Sequence, residues 1–322
     1  MKEYGGYLPL ELSQSGELYQ SSLRLNSGRN CLHLLLNTND YKRIFLPHYI
    51  CHSLVDTIKK TDVELVSYSI NSSLEPIFDY EDLTDSDVFL FPNYFSLKSN
   101  FIVELAKIKA NFIIDNAQSF FSKPQKGIDC FYSPRKFFGV SDGGYLVTKN
   151  KKSRVAYEVL SKDYSSKRYS HLLGRHDNSA KIFFKDYTVN ETKIEVLPQA
   201  KMSELTRKIL SSIDYESIKK KRFENFKFLH NHFLTENELS SIIDLRTLDG
   251  PMTYPLLIAN KGLKEKLINK NIYIPTYWDY VDSSMDLSFE SYLKSNLICL
   301  PVDQRYSVDD MNIIINTFEG LR

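Results

Sequence analysis

Between Ile44 and Asn150 the chain repeatedly sets a short, continuous apolar run beside a stretch with helical spacing. Ile44-Phe45-Leu46-Pro47 reads as a buried strand, and Leu54 to Lys60 as a helix. Val63 to Tyr68 and Val88 to Phe91 read as strands, Phe101 to Lys109 as a helix, and Phe112-Ile113-Ile114 as a further strand. Strands that are apolar throughout need cover on both faces. Helices alternating with such strands supply it in a mostly parallel sheet. Sheets of this kind take their ligands in the crevice beyond the C-terminal strand ends, so the residues that close the apolar runs are the first candidates for function.

The flanking segments extend this picture. Asn26-Ser27-Gly28-Arg29-Asn30 precedes Cys31 to Leu36 and reads as a helix start, with Ser27 or Asn26 as its cap. Ser203 to Phe233 is long, charged and periodic. It predicts one or two long helices, with the Lys219-Lys220-Lys221-Arg222 run on a solvated face. After Gly250-Pro251 the pattern changes to Tyr254–Ala259 as strand, Lys261–Asn269 as helix, and Ile272–Ile274 and Leu297–Leu300 as strands. Ser307 then caps a last helix, Val308 to Phe318. The expected fold is α/β, in two parts. Residues 1–205 form a large domain with a mostly parallel central sheet flanked by helices, and residues 206–322 form a long helix and a small α+β domain.

Charge and composition narrow the function. Lys+Arg number 41 and Asp+Glu 40, a net charge of +1, so no basic face for nucleic acid is implied. Cys31, Cys51, Cys130 and Cys299 are scattered, with neither zinc-ligand nor disulfide-framework spacing, which suits a reducing cytoplasm. The N-terminus lacks the apolar core of a signal peptide, and no apolar run is long enough to span a bilayer. His48 and His52 stand four apart, but no further ligands complete a metal site around them.

Four stretches at strand ends or helix starts carry the chemistry. They are Ser27-Gly28-Arg29, Pro47-His48-Tyr49, Asp115-Asn116-Ala117-Gln118, and Ser133-Pro134-Arg135-Lys136 leading into Ser141-Asp142-Gly143-Gly144. Taken singly, Asp115 is a helix cap after a strand and Lys136 a solvated loop lysine. Together they resemble the DegT/StrS family of sugar aminotransferases, which depend on pyridoxal 5'-phosphate (PLP) and have the fold-type I aminotransferase architecture. The resemblance runs from about Asn26 to the C-terminus. Family members place the cofactor-bearing lysine a fixed distance before a G-E-G-G element, and Lys136 stands at that distance from Ser141-Asp142-Gly143-Gly144. Their D-x-A-Q/H element is matched by Asp115 to Gln118, and Leu300-Pro301 before a capped helix resembles the family's ending.

The resemblance implies roles. Lys136 would bond the cofactor's aldehyde carbon and, once released, shuttle the substrate proton. Asp115 would keep the ring nitrogen protonated. Gln118 would bond the phenolic oxygen, with Asn93 as a second candidate, and Tyr49 would stack on the ring. The phosphate would lie on the helix N-terminus at Ser27 and Gly28, where Arg29 replaces the family's usual Thr or Ser. Ser133 has the spacing of a phosphate-binding serine in other fold-type I aminotransferases; the sugar branch carries it two residues earlier, where this chain has Phe131. Gln199-Ala200-Lys201-Met202 stands in place of an N-x-R-M element that reaches the partner subunit's phosphate, which implies a homodimer with shared active sites. Asp129, Arg135 and the aromatic run Tyr273 to Tyr280 are candidate pocket walls.

The implied activity is transfer of an amino group from glutamate or glutamine to a nucleotide-linked keto sugar, in polysaccharide or glycan precursor synthesis. Two other readings stay open. One is a different PLP reaction on the same fold, although relatives of that kind commonly replace the lysine with histidine. The other is a non-catalytic relative that binds a sugar nucleotide or a protein.

Overall fold

The computed structural model describes residues 4–259, 262–278 and 288–322. Its main sheet holds β1 (Leu23–Leu25), β2 (Arg43–Pro47), β3 (Glu64–Ile70), β4 (Pro76–Ile77), β5 (Asp87–Pro92), β6 (Phe112–Asp115), β7 (Asp129–Tyr132) and β8 (Gly144–Val147), in the order β1-β8-β7-β6-β5-β2-β3-β4. β7, β6, β5, β2 and β3 are parallel neighbours. β8 runs antiparallel between β7 and β1, and β4 closes the far edge antiparallel to β3. The apolar runs form strands because both faces are covered. Phe89, Phe91, Phe112, Ile114, Cys130 and Tyr132 enter one aromatic-rich core. The alternate residues Val88, Leu90, Ile113 and Phe131 enter the other, beneath the Gly28–Thr38 helix, which contributes Cys31, Leu32, Leu34 and Leu35.

The C-terminal part builds a third core on a two-stranded antiparallel sheet, β9 (Thr253–Leu257) with β10 (Leu297–Pro301). The Tyr215–Phe233 and Val308–Glu319 helices cover it with Phe226, Leu229, Phe233, Met311, Ile315 and Phe318. Ser307 caps the last helix through a reciprocal capping box with Asp310. Among the described residues no helix is long and apolar enough to cross a membrane.

Two expectations need correcting. Ile272–Ile274 is not a strand. Asn271 turns the chain with φ +62° just before it, Pro275 follows it without an N–H to donate, and Ile274 packs into the third core without a ladder. The basic run is not wholly solvated either. Ser203 to Phe233 forms two helices, Glu204–Ser211 and Tyr215–Phe233, and Arg222 in the second is 2% exposed. Four consecutive helical residues sweep roughly 300° of the helix, so one of them must face inward.

Candidate functional site

Asp115 closes β6 at the C-terminal edge of the sheet, paired with Pro92 of β5 on one side and Phe131 of β7 on the other. Its Oδ1 accepts the Ala117 N–H at 2.7 Å, which fixes the carboxylate in the turn that follows. Burial pushes the Asp115 carboxyl above its usual range, and the Lys136 ammonium is the cation that pulls it back down. Lys136 comes from the neighbouring strand end. β7 stops at Tyr132, Ser133 leads out, and Pro134–Lys136 form a single 3-10 turn in which the Lys136 N–H donates to the Ser133 carbonyl at 3.3 Å. The Lys136 side chain is exposed. Gln118 follows Asp115 by three residues. Its Oε1 accepts the Phe95 N–H at 3.2 Å, while its Nε2 is buried with no hydrogen-bond partner.

The Gly28–Thr38 helix opens beside these groups. Ser27 caps it, its hydroxyl accepting the Asn30 N–H at 3.3 Å, and the first-turn N–H groups of a helix have no partner within it. A Cβ on Gly28 would lie 3.6 Å from the Phe131 ring and 3.8 Å from the Ser133 Cβ, so the helix start adjoins the turn that carries Lys136. The Gly143-Gly144 pair makes this docking possible. Gly143 has φ +126° and donates its N–H to the Asn26 carbonyl at 2.8 Å. A Cβ on Gly144 would stand 2.5 Å from the Ser27 carbonyl group and 2.8 Å from the Gly28 nitrogen, an approach that only glycine permits. Asp142, just before the pair, is fully buried and accepts from the Ser203 N–H (2.8 Å), the Ser203 hydroxyl (2.7 Å) and the Thr206 hydroxyl. It locks this loop to the Glu204–Ser211 helix.

Two arginines add positive charge. Burial pulls the Arg29 guanidinium below its usual value and neighbouring Arg135 pushes the same way, while Cys51, Glu195 and Glu191 oppose them. Arg135 is paired with Glu191 of the Phe184–Val196 helix, and its Nε is buried without a partner. Nothing in the local motifs points to Glu191, which lies on a helix outside all four stretches.

The structure separates other candidates from this group. Asn93 directly follows β5 and continues the parity of Phe89 and Phe91, on the face of the sheet away from Ile113 and Phe131. Its Nδ2 donates to Asn116 Oδ1 (3.1 Å) and Ser122 Oγ (3.2 Å), and its Oδ1 accepts the Lys98 N–H (3.1 Å). Both side-chain atoms are occupied there, so Asn93 is a strand-end staple. Tyr49 is 1% exposed, with the Trp278 ring in T-shaped contact at 4.4 Å and the Tyr94 ring at 6.1 Å, so it is buried among aromatic rings. Lys201 donates to the Glu158 carbonyl at 2.8 Å and lies over the Tyr157 ring, anchored to its own subunit. Asp129 begins β7, at the strand end opposite Ser133, where burial pushes its carboxyl above the usual range against the pull of Thr148 and the Lys149 N–H. In the aromatic run, Tyr273 is exposed and Tyr277 and Trp278 pack near Phe95 and Tyr49; Tyr280 lies outside the described residues.

No protein-family profile matches the sequence, and no curated protein matches it. Solved structures do. NtdA from Bacillus subtilis, with bound cofactor PMP, superposes with a TM-score of 0.67 at 13% identity over 93% of this chain and 73% of that one. A DegT DnrJ EryC1 StrS aminotransferase from Brucella abortus gives 0.61 at 14% identity over 93% and 85%. Helicobacter pylori PseC, an aminotransferase involved in the biosynthesis of pseudoaminic acid, gives 0.62 at 14% identity over 93% and 86%. The chain therefore has the fold-type I aminotransferase fold of these proteins, with Asp115, Gln118, Lys136 and the Ser27 helix cap gathered at one edge of its parallel sheet.

Proposed function

We propose that this chain is a PLP-dependent aminotransferase that carries an amino group from glutamate or glutamine to a nucleotide-linked keto sugar. The observation that carries the reading is the Asp115–Lys136 pair. It sets a buried carboxylate, lifted by desolvation, within the field of an exposed lysine from the next strand end. The neighbouring groups fit PLP. The buried, unpartnered Gln118 Nε2 is a donor in need of an acceptor, as a phenolic oxygen provides. Asp115 would hold the ring nitrogen and Lys136 the aldehyde end. The helix start at Ser27 and Gly28, with Arg29 and Ser133 beside it, would hold the phosphate.

Bound there, PLP supplies an electron sink for the charge left when a substrate carbon loses a proton. The protein's own groups do the rest. Asp115, kept in place by the Ala117 N–H, presents a fixed negative charge. Lys136, on its short turn, is the base that takes a proton from the donor's amino-bearing carbon and the acid that returns one to the sugar carbon. Arg29, beside the helix start, gives this mouth a cation for anionic groups, while Arg135 is paired with Glu191. The substrate class is supported by the sugar aminotransferases that share the fold. The same reading makes the protein a cytoplasmic homodimer. Exposed Leu173, Ile182, Phe184 and Val196, in the segment after β8, support a subunit contact.

The test is direct. Purified protein mixed with PLP should turn yellow and bleach when glutamate or glutamine is added, and Lys136→Ala should do neither. Wild-type protein that stays colourless with PLP would overturn the enzyme reading.

A further inference from the structure

Arg222 is buried against backbone rather than against acid. It is 2% exposed, and among the described residues no carboxylate forms an ion pair with it. Its Nε donates to Gln304 Oε1 at 2.8 Å. Its Nη1 donates to the carbonyls of Pro251 (3.1 Å) and Met252 (3.3 Å), and its Nη2 to the carbonyl of Phe137 (3.1 Å). Gln304 donates its own Nε2 to that same Phe137 carbonyl at 2.8 Å, and the guanidinium lies 4.7 Å from the Phe137 ring centroid. Desolvation pulls the Arg222 pKa down to about 10, with Asp303 opposing from farther away. A buried cation is costly unless every donor is spent, and an apolar side chain would fill the space more cheaply. What the arginine adds is a fixed fork that three separate segments share.

The position of that fork is informative, because Phe137 follows Lys136 directly. The amide side of the turn is held locally, by Lys136 N–H to Ser133 and Phe137 N–H to the Pro134 carbonyl at 2.9 Å. The carbonyl side is held from a distance, by Arg222 of the long helix and by Gln304 beyond β10. Pro251 and Met252, which lead into β9, share the same guanidinium.

We infer that Arg222 is a positioning residue for Lys136. It fixes the backbone from which the lysine reaches Asp115, and it does so from the C-terminal elements, so that the placement of the small sheet sets the placement of the reactive amine. This rests on the reading of Lys136 as the cofactor-bearing lysine.

The experiment compares wild type with Arg222→Met, Arg222→Lys and Gln304→Leu. In protein without PLP, the rate at which Lys136 is acylated by an amine-directed reagent is measured by mass spectrometry, with exposed Lys220 as the internal reference. The Lys136 rate relative to Lys220 should change severalfold in Arg222→Met and less in Arg222→Lys. With PLP and substrates, kcat should fall on the order of 100-fold in Arg222→Met, the cost of misplacing a reacting group by about 1 Å, with KM moving far less. Arg222→Lys should recover part of that loss. If Arg222→Met does not fold, Gln304→Leu decides, since it removes one of the two bonds onto the Phe137 carbonyl and leaves the arginine. Folded variants with unchanged Lys136 acylation and unchanged kcat would overturn the inference. A colourless wild type would instead sink the cofactor reading, and the acylation comparison would still decide whether Arg222 positions Lys136.

Discussion

The ammonium of Lys136 offsets the burial of the Asp115 carboxylate, and burial is the larger of the two effects. The carboxyl is therefore harder to ionise in the folded protein than in the unfolded chain, where its pKa is about 3.9. Its contribution to folding is favourable below that value and is lost as pH rises through the folded-state value. Asp115→Asn keeps the oxygen that accepts the Ala117 N–H and removes the titration. We predict that this variant melts about 2 °C higher than wild type at pH 7, without cofactor, and that the gap shrinks toward zero as pH falls to 4. The same variant should bind PLP poorly. Equal melting curves at pH 7 would show that Lys136 fully cancels the burial.

Removing the other partner has the opposite sign. Lys136→Met leaves Asp115 without its compensating charge, so the apo protein should lose stability at pH 7 and regain it on acidification. Because Lys136 is exposed, solvent screens the pair, and the coupling in a double-mutant cycle with Asp115→Asn should be below about 1 kcal/mol. A larger coupling would mean that the lysine is more enclosed than its exposure indicates.

Gln118 offers a cleaner probe of cofactor contact. Gln118→Glu retains an oxygen for the Phe95 N–H and replaces the unpartnered Nε2 donor with an acceptor. Losing a hydrogen bond to a charged oxygen and gaining repulsion should weaken PLP binding on the order of 10- to 100-fold. A titration following the visible absorbance measures it, and unchanged affinity would remove Gln118 from the site.

The two glycines that bring the helix start and β8 together should respond differently. In Gly144→Ala the new methyl meets the Ser27 backbone at 2.5 Å, so one of the two segments must move. The cost should reach about 1–3 kcal/mol or more, read as a drop of several degrees in melting temperature together with loss of PLP binding. In Gly28→Ala the nearest atom is the Phe131 ring at 3.6 Å, an ordinary contact, so folding should survive. A folded Gly144→Ala that binds PLP normally would contradict the close approach.

Much of the sheet was legible from local pattern, because β2, β5 and β6 are apolar on both faces and read as runs. β1 and β8 were not. Leu23-Arg24-Leu25 is only three residues long and is defined by its partner, and β8 begins on glycine. Within the proposed site, Asp115, Gln118, Lys136 and Ser27 were singled out because each belongs to a short motif whose spacing survives in the chain, and the fold sets them at one edge of the sheet. Which way Asn93 faces could not be read, because a residue just past a strand can face either way, and the alternation is visible only once the neighbouring strands are in register. Arg222 was hidden in a run of four basic residues, and only the helix phase separates it from Lys219 to Lys221.

The pairing of β1 with β8 has a consequence for biosynthesis. Leu25 pairs with Gly144 and Ser27 bridges to Gly143, with Gly144 packed against the Ser27 carbonyl, so the phosphate end of the proposed site does not exist until that glycine pair has left the ribosome. At roughly 5–20 residues per second, the nascent N-terminal strand waits on the order of 10 s for its partner. Throughout that interval Leu23 and Leu25 have no β8 to pair with, and the proposed phosphate cradle lacks its second wall.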